Sequence, residues 1–125
     1  MKSLLLVILG GGLGSGARYL VSLALLGWLG PNLPWGTLLV NLLGSGLLGA
    51  LIEGGLRAPV ISPEVRLLLT TGVMGGFTTY STYNLETLRM LEQGATALAL
   101  GYVAVTLVGC LLAGWLGVMG VRWVG

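Results

Sequence analysis

The chain has 125 residues, of which 55% are hydrophobic and 8% charged, against roughly 25% charged in an ordinary soluble domain. A soluble core of this length leaves about a third of the unfolded surface exposed, so this many apolar side chains need lipid as their solvent. The net charge of +2 is spread over Lys2, Arg18, Arg57, Arg66, Arg89 and Arg122 without a run that could follow a phosphate backbone, and there is no His, which argues against a nucleic-acid partner, a Ser-His-Asp or Cys-His enzyme, and a zinc site.

A hydrocarbon core about 30 Å thick takes roughly 20 predominantly apolar residues per helical crossing. Four stretches meet this, predicting a single four-helix transmembrane domain over residues 1–125. The first runs from about Leu4 to Trp28 and carries one charge, Arg18. After the turn signal Gly30-Pro31-Asn32-Leu33-Pro34, the second runs from Trp35 to Ile52. The fourth runs from Leu98 to Trp123, with Arg122 placed to snorkel at its end.

The third stretch, about Pro63 to Leu91, is different. Ser62 can cap it, Pro63 suits the first helical position and Glu64 suits the positive end of the helix dipole. Its middle then reads Thr70-Thr71-Gly72-Val73-Met74-Gly75-Gly76-Phe77-Thr78-Thr79-Tyr80-Ser81-Thr82-Tyr83-Asn84. A polar, glycine-rich centre in a membrane crossing predicts an interrupted helix near the bilayer midplane, buried in protein or lining a cavity. Carbonyls freed at such a break can bind a cation.

Two N-terminal patterns imitate other things. Lys2 followed by Leu4 to Leu9 resembles a signal peptide, but the apolar character continues past Arg18 and three more spans follow. Gly12-x-Gly14-x-x-Ala17 imitates a dinucleotide fingerprint, yet the next acid is Glu53, too far on to hold a ribose. Small residues four apart let helix backbones approach closely. Gly10 and Gly14, Gly12 and Gly16, Ser45 and Gly49, and Gly109 with Ala113 and Gly117 all have that spacing. Cys110 is alone in an apolar run and reads as a small packing residue. Four helices this small do not easily surround a pathway, so at least a dimer is expected.

The chemistry left inside the membrane is neutral and polar. Thr37, Asn41 and Ser45 share one face of the second helix, and Tyr102, Thr106 and Cys110 share one face of the fourth. In the third, Thr78 and Thr82, Thr79 and Tyr83, and Thr82 and Glu86 are each four apart. A hydroxyl can bond back to its own helix, whereas the Asn41 amide needs a partner helix, water or an ion. From the residues alone, this is a conductor of a small ion. With four spans, Lys2, Arg57, Arg66 and Arg122 fall on the side of the termini, against Arg89 and the mid-helix Arg18. That bias would place the termini in the cytoplasm, but in loops this short it specifies orientation weakly.

Gly-Ala-Arg-Tyr at 16 to 19, Gly-Thr-Leu-Leu-Val-Asn-Leu-Leu-Gly at 36 to 44 and Gly-Gly-Phe-Thr-Thr-Tyr-Ser-Thr-Tyr at 75 to 83 resemble the three signatures of the Fluc (CrcB-type) fluoride ion channels, and the likeness spans the whole chain. The resemblance implies an all-α, multi-pass protein of the cell (inner) membrane. It further implies an antiparallel, dual-topology homodimer with two pores for passive fluoride export from the cytoplasm. It places the fluoride pathway at Asn41, Tyr80, Tyr83, Ser81, Thr82, Thr37 and Thr106, with Cys110 a looser match. It implies a structural sodium ion at the dimer centre, held by main-chain carbonyls of Gly75 and Thr78 from both subunits, and it puts Arg18 and Glu86 at the vestibule or the end of the polar track. The paired aromatic positions are typically Phe in that family and are Tyr here. The alternative, a small dual-topology multidrug exporter, needs an acid in its first helix, and this first helix has none.

Overall fold

The computed structural model describes residues 1–58 and 60–125, and every regular element among them is helical. Helix α1 (Lys2–Leu29) ends where Gly30, at φ 82°, returns its N–H to the Leu26 carbonyl and Pro31 blocks continuation. Helix α2 (Trp35–Arg57) starts directly after Pro34, and α6 (Thr96–Val124) closes the chain. These three, of 28, 23 and 29 residues, are each long and apolar enough to cross a membrane; the shortest reaches about 35 Å at 1.5 Å per residue. Their apolar side chains point outward along most of their length, among them Leu5, Leu9 and Leu13 of α1 and Leu107, Leu111 and Trp115 of α6. The chain is a membrane protein.

Helix α2 runs five residues beyond the expected end at Ile52, taking in Glu53 and Arg57. Glu53 is buried at the helix end because two cations hold it. Its Oε1 accepts from Arg57 Nε one turn on and from Arg122 Nε of α6, both at 2.8 Å. Lys2 and Glu64 approach to 3.9 Å at the same end of the bundle.

The segment between α2 and α6 is divided. The Ser62 hydroxyl accepts from Val65 N–H at 3.3 Å and caps α3 (Pro63–Leu67). A π-helical stretch follows (Leu68–Met74), with Thr70 Oγ1 donating to the Arg66 carbonyl at 2.8 Å, and a single turn, α4 (Gly75–Phe77), completes this half. Thr78 and Thr79 are then extended, at ψ 159° and ψ 123°, before α5 (Tyr80–Glu92) resumes with the Thr79 side chain as its cap. Gly94, at φ 79°, turns the chain into α6.

Packing explains which small residues matter. The most extensive contact joins α2 to α6, and the next joins α1 to the π stretch. A Cβ on Gly10 would lie 2.6 Å from the Leu68 carbonyl oxygen and 2.8 Å from Gly72 Cα, and one on Gly72 would lie 2.9 Å from Gly10 Cα. Gly14 packs on the Val73 carbonyl and Gly76 on the Gly11 carbonyl, so backbone touches backbone along this seam. Between α2 and α6, Gly49 meets the Gly114 carbonyl and Gly117 the Gly46 carbonyl. The Gly12 and Gly16 pair, with identical spacing, faces open space.

Gly14→Ala should therefore destabilise the protein by on the order of 1–3 kcal/mol through overpacking, whereas Gly12→Ala should stay within about 0.5 kcal/mol. Thermal unfolding of the two variants in detergent reads the difference, and equal effects would show that the α1 seam is not where the backbones meet.

Candidate functional site

The break at Thr78 and Thr79 needs partners for main-chain groups that a continuous helix would pair internally. Asn41 of α2 supplies two. Its Nδ2 donates to the Thr79 carbonyl at 2.9 Å and its Oδ1 accepts from the Thr79 N–H at 2.8 Å. Since a main-chain N–H can only donate, this pairing also fixes which way the amide faces. On the other side, α1 donates to the Gly76 carbonyl from Arg18 Nε at 3.1 Å and from Ser15 Oγ at 3.4 Å. Thr79 Oγ1 accepts from the Thr82 N–H at 3.3 Å and donates to Thr82 Oγ1 at 3.1 Å. The Thr78 hydroxyl donates back to the Met74 carbonyl at 3.0 Å.

Carbonyls before the break lose their helical donors. In an unbroken helix Thr79 N–H would go to Gly75 and Thr82 N–H to Thr78; here Asn41 and the Thr79 hydroxyl take those donors. Among the described residues, neither the Gly75 nor the Thr78 carbonyl accepts a hydrogen bond. Both residues line one groove, and this pair of free oxygens is the chemistry a cation bound by main-chain carbonyls needs.

The groove has a volume of about 580 Å³ and is open on one side. Asn41 and Ser45 of α2, Tyr80 and Tyr83 of α5, and Thr106 and Cys110 of α6 line it together with Gly75 and Thr78. Thr106 is 6% exposed, and its Oγ1 is the one buried side-chain polar atom without a partner among the described residues. The Tyr80 and Tyr83 rings meet edge to face, centroids 5.6 Å apart, and Tyr83 meets Tyr102 likewise at 5.3 Å. Tyr102 Oη donates to Glu86 Oε1 at 3.5 Å, and Glu86 with Thr37 lines a second, smaller pocket of about 190 Å³. The polar side chains thus run from the break along the Tyr83–Tyr102 contact to Glu86 and Thr37.

Of the residues singled out in the sequence, Asn41, Tyr80, Tyr83, Thr106, Gly75 and Thr78 come together in the groove, and Thr37 and Glu86 lie at the far end of the polar line. Ser81 and Thr82 do not line it. They sit about 100° and 200° round the helix from Tyr80, whereas Tyr83 returns to the Tyr80 face; Ser81 is exposed and Thr82 is engaged at the α5 cap. Arg18 stands apart from Glu86, holding the Gly76 carbonyl from the opposite side of the break. Sequence reasoning placed Tyr102 on a polar face without giving it a site role and did not name Ser15. Tyr102 shares the four-residue spacing of Thr106 and Cys110, so a signal was present, whereas Ser15 looked like one more small residue of α1.

The CrcB-like protein, Camphor Resistance (CrcB) family model matches residues 5–118. A fluoride-specific ion channel FluC of Anaeromyxobacter sp. (strain K) is 53% identical over 123 residues, covering 98% of both chains. The FluC of Sorangium cellulosum is 50% identical over 91% of this chain and 90% of its own, and that of Mesorhizobium japonicum 43% identical over 94% of each. The chain belongs to the CrcB-like family.

Proposed function

We propose that this protein is a fluoride-specific ion channel that exports fluoride passively across the cell (inner) membrane, without catalysing a reaction. The observation that carries the reading is the groove, which a buried, unpartnered hydroxyl, an asparagine amide and two tyrosine rings line together. Fluoride is small and strongly hydrated, so a pore must replace its water with donors. Asn41 spends one Nδ2 hydrogen on Thr79 and keeps the other, Thr106 keeps its hydroxyl hydrogen, and the partly positive ring edges of Tyr80 and Tyr83 can face an anion. All these groups are neutral, which lets an ion bind and still leave. The path continues along Tyr102 to Thr37 and Glu86. FluC of the relatives is named for fluoride, and this chain shares their length and most of their sequence span.

The broken segment from Pro63 to Glu92 forms the fourth crossing, and the working unit is an antiparallel homodimer with two pores. The groove's open side supports this, because polar backbone and side chains at membrane depth need protein to cover them. A second copy of the chain does so. The Gly75 and Thr78 carbonyls of both subunits hold a structural sodium ion at the dimer centre. Bound there, the ion supplies positive charge to oxygens that otherwise stay unpaired in lipid.

A single cysteine added at the C-terminus in a Cys110→Ser background should be modified in about half the copies by an impermeant reagent applied to one face of sealed vesicles, since the two orientations are equally populated. Complete or absent labelling of active protein would overturn the antiparallel assembly.

In a liposome efflux assay the wild type should release fluoride without a proton requirement; no flux, or proton-coupled cation uptake, would refute the channel. Asn41→Asp should stop efflux by removing the spare amide hydrogen. Tyr83→Ile should stop it by deleting a ring edge while keeping an apolar side chain. Tyr80→Phe should still conduct if the edges bind the ion. If Tyr80→Phe is silent as a folded dimer and Tyr83→Ile conducts, the tyrosine hydroxyls have taken over the anion contacts.

A further inference from the structure

The side chain that offers a donor to the groove is also the one that holds the helix open. Asn41 presents to Thr79 the two groups a peptide unit would present, an acceptor for its N–H and a donor for its carbonyl, at 2.8 and 2.9 Å. Gly75 is four residues before Thr79, so the N–H that Asn41 captures is the one that would otherwise close on the Gly75 carbonyl. The other half of the device is local. The Thr79 hydroxyl captures Thr82 N–H at 3.3 Å and so withholds it from the Thr78 carbonyl.

Among the described residues, no other side chain bonds Thr79 N–H. Arg18 and Ser15 both bind the Gly76 carbonyl, and Gly44 only makes room, with the Thr78 methyl lying where its Cβ would be. Without the Asn41 amide, the helical acceptor of Thr79 N–H is the Gly75 carbonyl.

We propose that Asn41 is a positioning residue as well as an anion donor: by capturing Thr79 N–H it creates the free Gly75 carbonyl, and so couples the anion path to the cation site. The inference rests on the sodium reading above. One amide serves both sites with different atoms. Oδ1, bonded to Thr79 N–H, sets the carbonyl, and the spare Nδ2 hydrogen serves the groove. The two roles separate by substitution. Leucine has the same number and branching of side-chain heavy atoms as asparagine and neither polar atom, so it loses both roles. Aspartic acid carrying its proton reproduces both bonds to Thr79 but has no spare hydrogen, so it keeps the clamp and loses the anion donor.

The test measures the dimer's lifetime in detergent, in sodium and in N-methylglucamine, beside fluoride efflux. Wild type should dissociate more slowly in sodium. Asn41→Asp should keep that sodium effect while losing efflux. Asn41→Leu should lose both, and its dimer should be equally short-lived in the two salts. Thr106→Val, which alters the groove without touching the clamp, should keep the sodium effect. If Asn41→Leu does not assemble, Thr79→Val reads the other half of the device, since it leaves the main chain for Asn41 but frees Thr82 N–H; it should weaken the sodium effect.

A full sodium effect in Asn41→Leu, or its loss in Asn41→Asp dimers that assemble normally, overturns the coupling and leaves the sodium site standing. Should Asn41→Leu fail to assemble, the smaller Asn41→Ala, which also lacks both polar atoms, takes its place, and a full sodium effect there overturns the coupling equally. A wild type indifferent to sodium overturns the cation site, and the coupling with it.

Discussion

Two hydrogen bonds between the Asn41 amide and the Thr79 main chain, at 2.9 and 2.8 Å, carry the rest of the structure. A helix that stops inside a membrane leaves main-chain groups that water does not reach, and each costs several kcal/mol if nothing replaces it. The break therefore exists only because its neighbours are chemically complementary to it. Asn41 serves Thr79 from α2, Arg18 and Ser15 serve Gly76 from α1, and the Thr79 hydroxyl serves Thr82 from within.

That chemistry works only at short range, which makes the glycines part of the same device. Hydrogen bonds of about 3 Å from α1 and α2 to one interrupted backbone require both helices to approach it almost to contact. Gly10 and Gly14 of α1 and Gly44 of α2 meet that requirement, and the π-helical stretch before the break brings Gly72 against Gly10. π turns recur where a helix must adjust its register at a functional position, and here the adjusted segment leads straight into the Gly75-Gly76 turn.

The sequence made the kind of structure legible but not the pairing within it. Hydropathy set the three apolar helices, and the Gly75-Gly76 and Thr78-Thr79 run marked an interruption, because polar backbone at membrane depth survives only where protein or a cavity surrounds it. That Asn41 needs a partner followed from its amide; that the partner is the Thr79 main chain did not, since two residues 38 apart are joined only by how α2 crosses the break. The spacing of Gly10 and Gly14 equals that of Gly12 and Gly16, and only the fold says which pair faces a neighbour. The resemblance put Arg18 at the vestibule or the end of the polar track; its bond to the Gly76 carbonyl was not legible in the sequence, because only the fold shows which buried carbonyl a guanidinium reaches.

The placement of Arg18 bears on how an anion can move at all. A guanidinium facing the groove would offer charge-assisted bonds that hold a small, hard anion too firmly for rapid passage. Here Arg18 reaches the break from the α1 side and binds Gly76, while the groove lies against α2, α5 and α6 and is lined by neutral groups. The donors that stabilise the backbone end on protein acceptors: the Ser15 hydroxyl, the Arg18 Nε–H, one hydrogen of Asn41 and the Thr79 N–H. The spare Asn41 hydrogen, the Thr106 hydroxyl and the tyrosine edges remain for a guest. On the proposed path, a few weak donors in sequence would give an ion successive places to stop and none in which to stay, and the same economy that builds the break would leave them free.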